Sequence, residues 1–278
     1  GGVAAGASGM LNTDWGDHGH YQPIGQSLYG YLYGAEQAWT GGTTEDDDFE
    51  ARLGPLAFGA AGGAVVATMR QLGRLNVLPG MARPNASSSI YALLDEPLSG
   101  PMLDELPPET VASLAAGSAA AAASLRQALA ASSDPISVDE MAFSAELMAY
   151  AARKIAACQA LRRALASLQA RPQDGERVLS EGIASLRALD GELVVLTDRF
   201  RAVWLRRARE SEMGVTLGHL AGLRERYRLA EVWLGERLEG LRAGRFVACD
   251  VQQYRQWSGE YDILGQRLWK RLKAAGAA

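Results

Sequence analysis

The residues with the greatest chemical capability lie in one short stretch near the start of the chain. Asp14, Trp15, Asp17, His18 and His20 fall within seven residues, and the whole chain has three histidines. Carboxylates and imidazoles can transfer protons, bind metal ions or hydrogen-bond to hydroxyl groups. An indole beside them offers a flat apolar surface to a ligand. This stretch is therefore the candidate functional site.

The residues around this stretch predict a strand, a loop and a helix. Met10-Leu11-Asn12 is short and apolar enough for a buried strand. Two glycines and Pro23 then prevent regular structure, so we expect the polar residues on a loop at the carboxyl end of that strand. Ser27 can cap a helix whose apolar residues recur at helical spacing as far as Trp39. In an α/β barrel, such a loop lies on the face where active sites are built.

Two motifs in this region, Trp15-Gly16-Asp17 and Gly34-Ala35-Glu36-Gln37-Ala38-Trp39, carry a family resemblance. Residues 5–39 resemble the end of the catalytic barrel of family 20 glycoside hydrolases, the exo-acting β-N-acetylhexosaminidases. A weaker similarity at residues 200–209 is to the helical C-terminal part of bacterial members. The resemblance implies a mostly α-helical chain, with the terminal β/α unit of a (β/α)8 TIM barrel followed by a C-terminal helical bundle.

The resemblance also implies roles for individual residues. Trp15 would line the pocket for the terminal sugar, and Asp17 would accept hydrogen bonds from sugar hydroxyls. The family often has Glu at the position of Asp17, which is one methylene longer. His20 is a further candidate for the wall of the pocket, while Tyr21 and Gln22 have nothing that fixes a role.

The catalytic pair of the family is missing from this chain. Family members use a substrate-assisted retaining mechanism, in which the acetamido oxygen of the sugar attacks the anomeric carbon, an Asp orients that group and a Glu protonates the leaving oxygen. That Asp-Glu pair belongs to an earlier barrel strand, so the resemblance places it upstream of residue 1. Asp95-Glu96, Asp104-Glu105 and Asp139-Glu140 follow no apolar strand, and we interpret them as surface or capping acids.

The resemblance therefore implies the C-terminal part of an exo-β-N-acetylhexosaminidase that releases terminal N-acetylglucosamine or N-acetylgalactosamine. Its partners would be that carbohydrate and the remainder of the barrel, and it needs no cofactor. The chain alone is expected to be inactive. A metal-dependent hydrolase using Asp14, His18 and His20 is an alternative, but neighbouring loop residues rarely form a metal site by themselves. We therefore expect no metal.

The rest of the chain predicts three parts. Residues 1–76 would form the end of the barrel, residues 77–108 an irregular, proline-rich connection with one short helix near Tyr91, and residues 109–278 an α-helical domain. Apolar residues at steps of three and four in the last part predict antiparallel helices of about 30 residues joined by short turns. An alternative function follows from these apolar stripes, namely an oligomerisation or interaction module, with a homodimer formed through the helical region.

Composition limits the compartment and the partners. A net charge of −4 gives no indication of a nucleic-acid partner, and the arginines between Arg199 and Arg209 are expected on a solvated helix face that pairs with nearby acids. No apolar run reaches the length of a membrane span, so no membrane is expected. Cys158 and Cys249 lie far apart in a chain that begins without a signal peptide, which predicts reduced thiols in a cytoplasmic protein. Because the chain begins with Gly rather than Met, an upstream targeting segment would not be seen.

Overall fold

The computed structural model describes residues 2–15, 20–82, 88–211, 213–245 and 248–259. This part of the chain is mostly helical and contains no strand. The helices are α1 (Ile24–Trp39), α2 (Asp46–Phe58), α3 (Gly62–Leu75), α4 (Ser88–Leu94), α5 (Met102–Glu105), α6 (Pro108–Ala128), α7 (Pro135–Ser167), α8 (Gly175–Trp204), α9 (Met213–Arg242) and α10 (Val251–Ser258). The predicted long helices after residue 109 are confirmed.

Helix α7 is the centre of the molecule. It packs along α6 and α8 and also contacts α1 and α4, while α9 packs along α8. The apolar stripes face inward, and Leu161, Leu193 and Leu234 are all buried. One continuous set of buried side chains extends from Tyr21 to Tyr254. The division into three domains remains a prediction.

The prediction of a strand at residues 10–12 is wrong, since these residues do not form one in the structure. Residues 7–15 have no regular structure, and the side chains of Met10 and Leu11 are 55% and 85% exposed. A strand is stabilised by hydrogen bonds to a neighbouring strand. No other strand exists in the described part of the chain, so this backbone has nothing to pair with.

The start of α7 is fixed by Asp134 and Pro135. Ser137 and Glu140 have the spacing of a capping box, but the helix begins at Pro135 and its cap is Asp134, whose side chain accepts a hydrogen bond from Ser137 N at 3.0 Å. Proline favours the first position of a helix because that position needs no hydrogen-bonded N–H. Glu140 is thereby free to bind another helix.

The proline-rich connection is more ordered than its composition indicates. It contains α4, which confirms the short helix near Tyr91, and α5, and both pack against α7. The last helix of the described residues is α10, which ends at Ser258. No disulfide joins Cys158 to Cys249. Within the described ranges, no helix combines the length and apolarity needed to cross a membrane.

Candidate functional site

The segment that precedes α1 lies antiparallel along that helix. Asn12 Nδ2 donates to the carbonyl oxygen of Tyr31 at 3.4 Å, and Asp14 Oδ2 accepts from Ser27 Oγ at 2.6 Å. The contacts therefore move toward the start of α1 as the segment advances. Gly34 is required for this approach, because a Cβ there would lie 2.1 Å from Asn12 Nδ2.

The three predicted sugar-binding residues have different surroundings. Trp15 is on the surface, with 73% of its area exposed. Asp17 lies outside the described residues, as does His18. His20 is half-buried, and its Nε2 lies 3.9 Å from Asp14 Oδ1. The structure thus brings His20 to Asp14 and leaves the Trp15 indole open to solvent.

Helix α9 holds the chain at His20 and Tyr21. Thr216 Oγ1 accepts from His20 N at 3.2 Å and lies 3.5 Å from His20 O. Tyr21 is buried, its hydroxyl is hydrogen-bonded to His219 Nδ1, and the two rings stack with centroids 6.0 Å apart. Thr216 and His219 lie three positions apart and hence on one face of α9. These contacts give His219 a structural role, since it fixes the buried Tyr21.

An aromatic side chain from the end of α8 packs against His20. The ring of Trp204 meets the imidazole edge-on, with centroids 6.4 Å apart. Its Nε1 donates to the carbonyl oxygen of Arg209 at 2.6 Å, and its ring packs on Phe200 at 5.5 Å. The position of Trp204 is therefore fixed from two sides. Sequence reasoning did not find this neighbour of His20, because the two residues are distant along the chain.

Glu140 connects the start of α1 to the start of α7. It is almost fully buried, and its Oε2 accepts from Gly25 N at 2.8 Å while its Oε1 lies 3.2 Å from Arg207 Nε. Burial raises the pKa of this carboxyl, and the Gly25 amide and Arg207 act in the opposite direction. A side chain at position 25 would collide with the carboxylate, since a Cβ there would lie 2.7 Å from Oε2. Glu140 is therefore a buried connector, and its interpretation as a surface or capping acid is wrong.

The arginines at the end of α8 donate hydrogen bonds mainly to side chains of α7. Arg199 and Arg206 both donate to Asp139, and Arg207 donates to Ser137 Oγ at 2.6 Å. Arg201 follows the expected pattern, pairing with Asp198 at 3.2 Å. Asp139 is buried by these pairs. The cluster therefore joins two helices, and the predicted solvated face accounts for only part of it.

The arrangement around Asp14, Ser27 and His20 contains the residue types of a nucleophilic triad without its connections. In such a triad the hydroxyl is hydrogen-bonded to the imidazole. Here Ser27 donates to the carboxylate instead. Among the described residues, no group of three or more His, Cys, Asp or Glu side chains could hold a metal ion. The groups present are hydrogen-bond donors and acceptors.

A second cluster of charged groups is buried between α4, α7, α9 and α10. Glu96 accepts from Arg226 Nε and from the hydroxyl of Tyr254, and Lys154 is fully buried beside Asp95. The interpretation of Asp95 and Glu96 as surface or capping acids is therefore wrong. One signal was available, since Asp95-Glu96 is flanked by Leu93-Leu94 and Pro97-Leu98.

One surface groove in the described part of the chain lies away from the candidate site. It is a groove of about 390 Å³ between α2 and α3, lined by Glu50, Arg70 and Gln71 among others. Arg70 is occupied by Glu50 at 3.0 Å and by Asp47 at 2.9 Å. The charge of Arg70 is therefore balanced within the protein, while Arg74 also lines the groove. We give more weight to the oriented polar groups around His20.

No protein-family model matches the chain, and no curated protein matches it.

Proposed function

We propose that the chain is the C-terminal part of an exo-β-N-acetylhexosaminidase, which hydrolyses terminal N-acetylglucosamine or N-acetylgalactosamine by a substrate-assisted retaining mechanism. Residues 5–39 supply the last β/α unit of the barrel, and Trp15-Gly16-Asp17 supplies the sugar-binding loop. The catalytic Asp-Glu pair comes from chain upstream of residue 1. The proposal starts from the resemblance of residues 5–39 to that family.

The observation that supports it is the path of residues 12–14 along α1. In a β/α unit the helix returns antiparallel to the strand that precedes it, and the side chains between them must be small or specifically paired. Asn12 in the notch at Gly34, and Asp14 on Ser27, give this segment the same direction relative to α1. We propose that neighbouring strands would convert the extended segment into a strand.

The exposed apolar side chains of the segment agree with the proposal. Met10, Leu11 and Trp15 are each more than half exposed. Barrel strands are covered on both sides, by the barrel interior and by the helices. The remainder of a barrel would therefore cover Met10 and Leu11, while an indole at the mouth would remain open to a sugar.

The proposed chemistry of the chain is binding. The Trp15 indole would pack against the C–H face of the terminal sugar, and Asp17 would accept hydrogen bonds from its hydroxyls. His20 lies beside the same loop. The chain contributes no group to proton transfer in this proposal, so its own role is to hold the sugar in the geometry that the upstream pair requires.

The test uses the gene from which the chain is encoded. The DNA upstream of codon 1 should encode further barrel strands, one ending in Asp-Glu. The complete protein should hydrolyse p-nitrophenyl N-acetylglucosaminide or its galacto isomer, and the 278-residue chain should not. Trp15→Ala and Asp17→Ala should each raise KM about tenfold or more in the complete protein, the effect of losing about 1.4 kcal/mol of binding free energy.

Trp39→Ala is the matched control for Trp15→Ala. Trp39 is also an exposed indole, at 91%, but it lies at the other end of α1. Twelve residues of helix separate it from Ser27, which is roughly 18 Å at 1.5 Å per residue. The proposal fails if the complete protein lacks the activity, or if both tryptophan variants change KM equally.

The alternative function, an oligomerisation or interaction module, has no specific observation in its favour. The stripes that led to it are packed inside the chain, as the buried Leu161, Leu193 and Leu234 illustrate. A homodimer through the helical region would have to use other side chains. We therefore keep the hexosaminidase proposal as the leading one.

A further inference from the structure

Asp14 Oδ1 and His20 Nε2 face each other, and each of them can form a further hydrogen bond. These two atoms are 3.9 Å apart, which is too long for a direct hydrogen bond. A hydroxyl oxygen between them could lie about 2.8 Å from both. It would donate its proton to the carboxylate and accept from the imidazole in the tautomer that carries a proton on Nε2.

Each of the two groups is held in place from behind. The second carboxylate oxygen of Asp14 accepts from Ser27 Oγ at 2.6 Å. The backbone of His20 is held by Thr216, and the imidazole is packed against Trp204. Both side chains are still partly open, with 17% of Asp14 and 27% of His20 exposed. A ligand would therefore meet groups that need little reorganisation.

We propose that Asp14 and His20 together bind one hydroxyl group of the carbohydrate substrate, and that Thr216 and Trp204 are positioning residues for His20. This inference rests on the proposed function and adds to it. It makes the helical region part of the sugar site, because Thr216 and Trp204 belong to α9 and α8. It also gives Asp14 a binding role, in place of the metal ligation that its sequence spacing permits.

The ordinary alternative is an ion pair between Asp14 and His20 that only holds the loop. The two alternatives differ in their response to the substrate. A hydroxyl-binding pair loses affinity when the ligand lacks that hydroxyl, because the carboxylate and imidazole then have no partner. If Asp14 and His20 form only an internal ion pair, removal of that hydroxyl leaves the affinity for the ligand unchanged.

The first test uses the 278-residue chain and N-acetylglucosamine as the probe. The chain has three histidines, so its histidine Cε1–H signals can be followed individually by NMR. We expect saturable movement of the His20 signal, identified by its loss in His20→Gln. We expect this movement to be abolished in Asp14→Ala and retained in Asp198→Ala, an exposed acid on α8. A His20 signal that does not move, or that moves equally in Asp14→Ala, overturns the inference.

The second test uses the complete protein and sugars lacking one hydroxyl at a time. For one of these positions, deoxygenation should lower kcat/KM about tenfold in the wild type and about twofold or less in Asp14→Ala, given that tenfold corresponds to one well-formed hydrogen bond. If deoxygenation at every position costs the same in both proteins, the inference fails while the proposed function stands. Absence of hydrolysis in the wild type rejects the proposed function, and the NMR result then decides the inference separately.

The positioning residues have their own signature. Thr216→Val and Trp204→Leu should raise KM several-fold and leave kcat within about twofold, because they act on the binding of the sugar through His20. Thr197→Val is the matched control, since the hydroxyl of Thr197 bonds only back to Leu193 O on its own helix at 2.7 Å. A fall in kcat with unchanged KM in Thr216→Val contradicts a positioning role, as does an equal effect in Thr197→Val.

Discussion

Lys154 offers the sharpest test of how the helices are held together. It is fully buried on α7, and its Nζ donates to the carbonyl oxygens of Ala92 and Leu93 at 3.1 Å each and to that of Asp95. These carbonyls belong to the end of α4, where a helix has no internal donors left. Lys154→Met retains most of the apolar stem and removes the donors.

The expected cost follows from these three bonds. A hydrogen bond from a charged group contributes about 1.5–3 kcal/mol, so three of them exceed about 4 kcal/mol before any offset. Burial lowers the pKa of Lys154, which means that the ammonium itself is costly to keep inside and that its removal returns part of the loss. We expect Lys154→Met to lower the free energy of unfolding by about 3–5 kcal/mol.

The assay is equilibrium unfolding in urea at pH 7, followed by far-ultraviolet circular dichroism. Arg153→Met is the matched control, because Arg153 is the adjacent residue and its pair with Glu192 is 45% and 36% exposed. Exposed ion pairs contribute about 0–1 kcal/mol, so this variant should unfold close to the wild type. If Lys154→Met were no more destabilised than Arg153→Met, the carbonyls of α4 would not depend on Lys154 and the reasoning would be refuted.

Two further predictions concern the same core. Burial raises the pKa of Asp95 to about 7, against an opposing effect of Lys154, so the folded state keeps this proton more tightly than the unfolded state, whose pKa is about 4. The contribution of Asp95 to stability is therefore lost as the pH rises through 7. In the wild type the urea midpoint should fall between pH 5 and pH 8, and in Asp95→Asn this fall should be smaller. An equal dependence of the urea midpoint on pH in both proteins would contradict this. Gly62→Ala should lower the free energy of unfolding by about 1–3 kcal/mol, because its Cβ would lie 2.1 Å from the backbone of Gly54. Gly63→Ala should be neutral or stabilising by up to about 1 kcal/mol, because a Cβ at that position has nothing within 4 Å. Thermal unfolding compares the two glycine variants, and equal melting temperatures would count against close packing of α2 on α3.

The helical part of the fold was predictable because its signal is local. Leu161, Leu193 and Leu234 belong to stripes with the period of a helix, and a stripe of that kind must be buried against another. Short turns between long helices then leave few arrangements. The sequence accordingly predicted long helices of the length of α7, α8 and α9.

The buried charges were not predictable in the same way, because their partners are distant along the chain. Glu96 meets Arg226, which is 130 residues later, and Glu140 meets Gly25, which is 115 residues earlier. An acid in isolation is expected on the surface, since burying it without a partner is costly. Lys154 carried a usable signal: it is the only lysine before residue 270.

The candidate site was predictable in its residue types and not in its construction. The spacing of Asp14, Trp15 and His20 identified a polar loop, and the structure does bring Asp14 to His20. The supports of His20 come from α8 and α9, and Thr216 lies 196 residues beyond it. No local pattern carries that information. The strand at residues 10–12 failed for a related reason, because a strand depends on a partner that the local sequence does not specify.

These long-range contacts have a consequence for how the parts of the chain depend on each other. If the helical region is separated near residue 109, Lys154 loses the three carbonyls of residues 92–95 and Glu140 loses the amide of Gly25. Lys154 would lose these three acceptors while Glu140 would keep Arg207, so part of the stability of α7 comes from the first hundred residues. The stripes of α7, α8 and α9 can form a bundle by themselves, but α7 carries polar groups whose partners lie in the first hundred residues. The helical region is therefore built to fold against Gly25 and residues 92–95, and it contacts His20 separately, through Thr216 and Trp204.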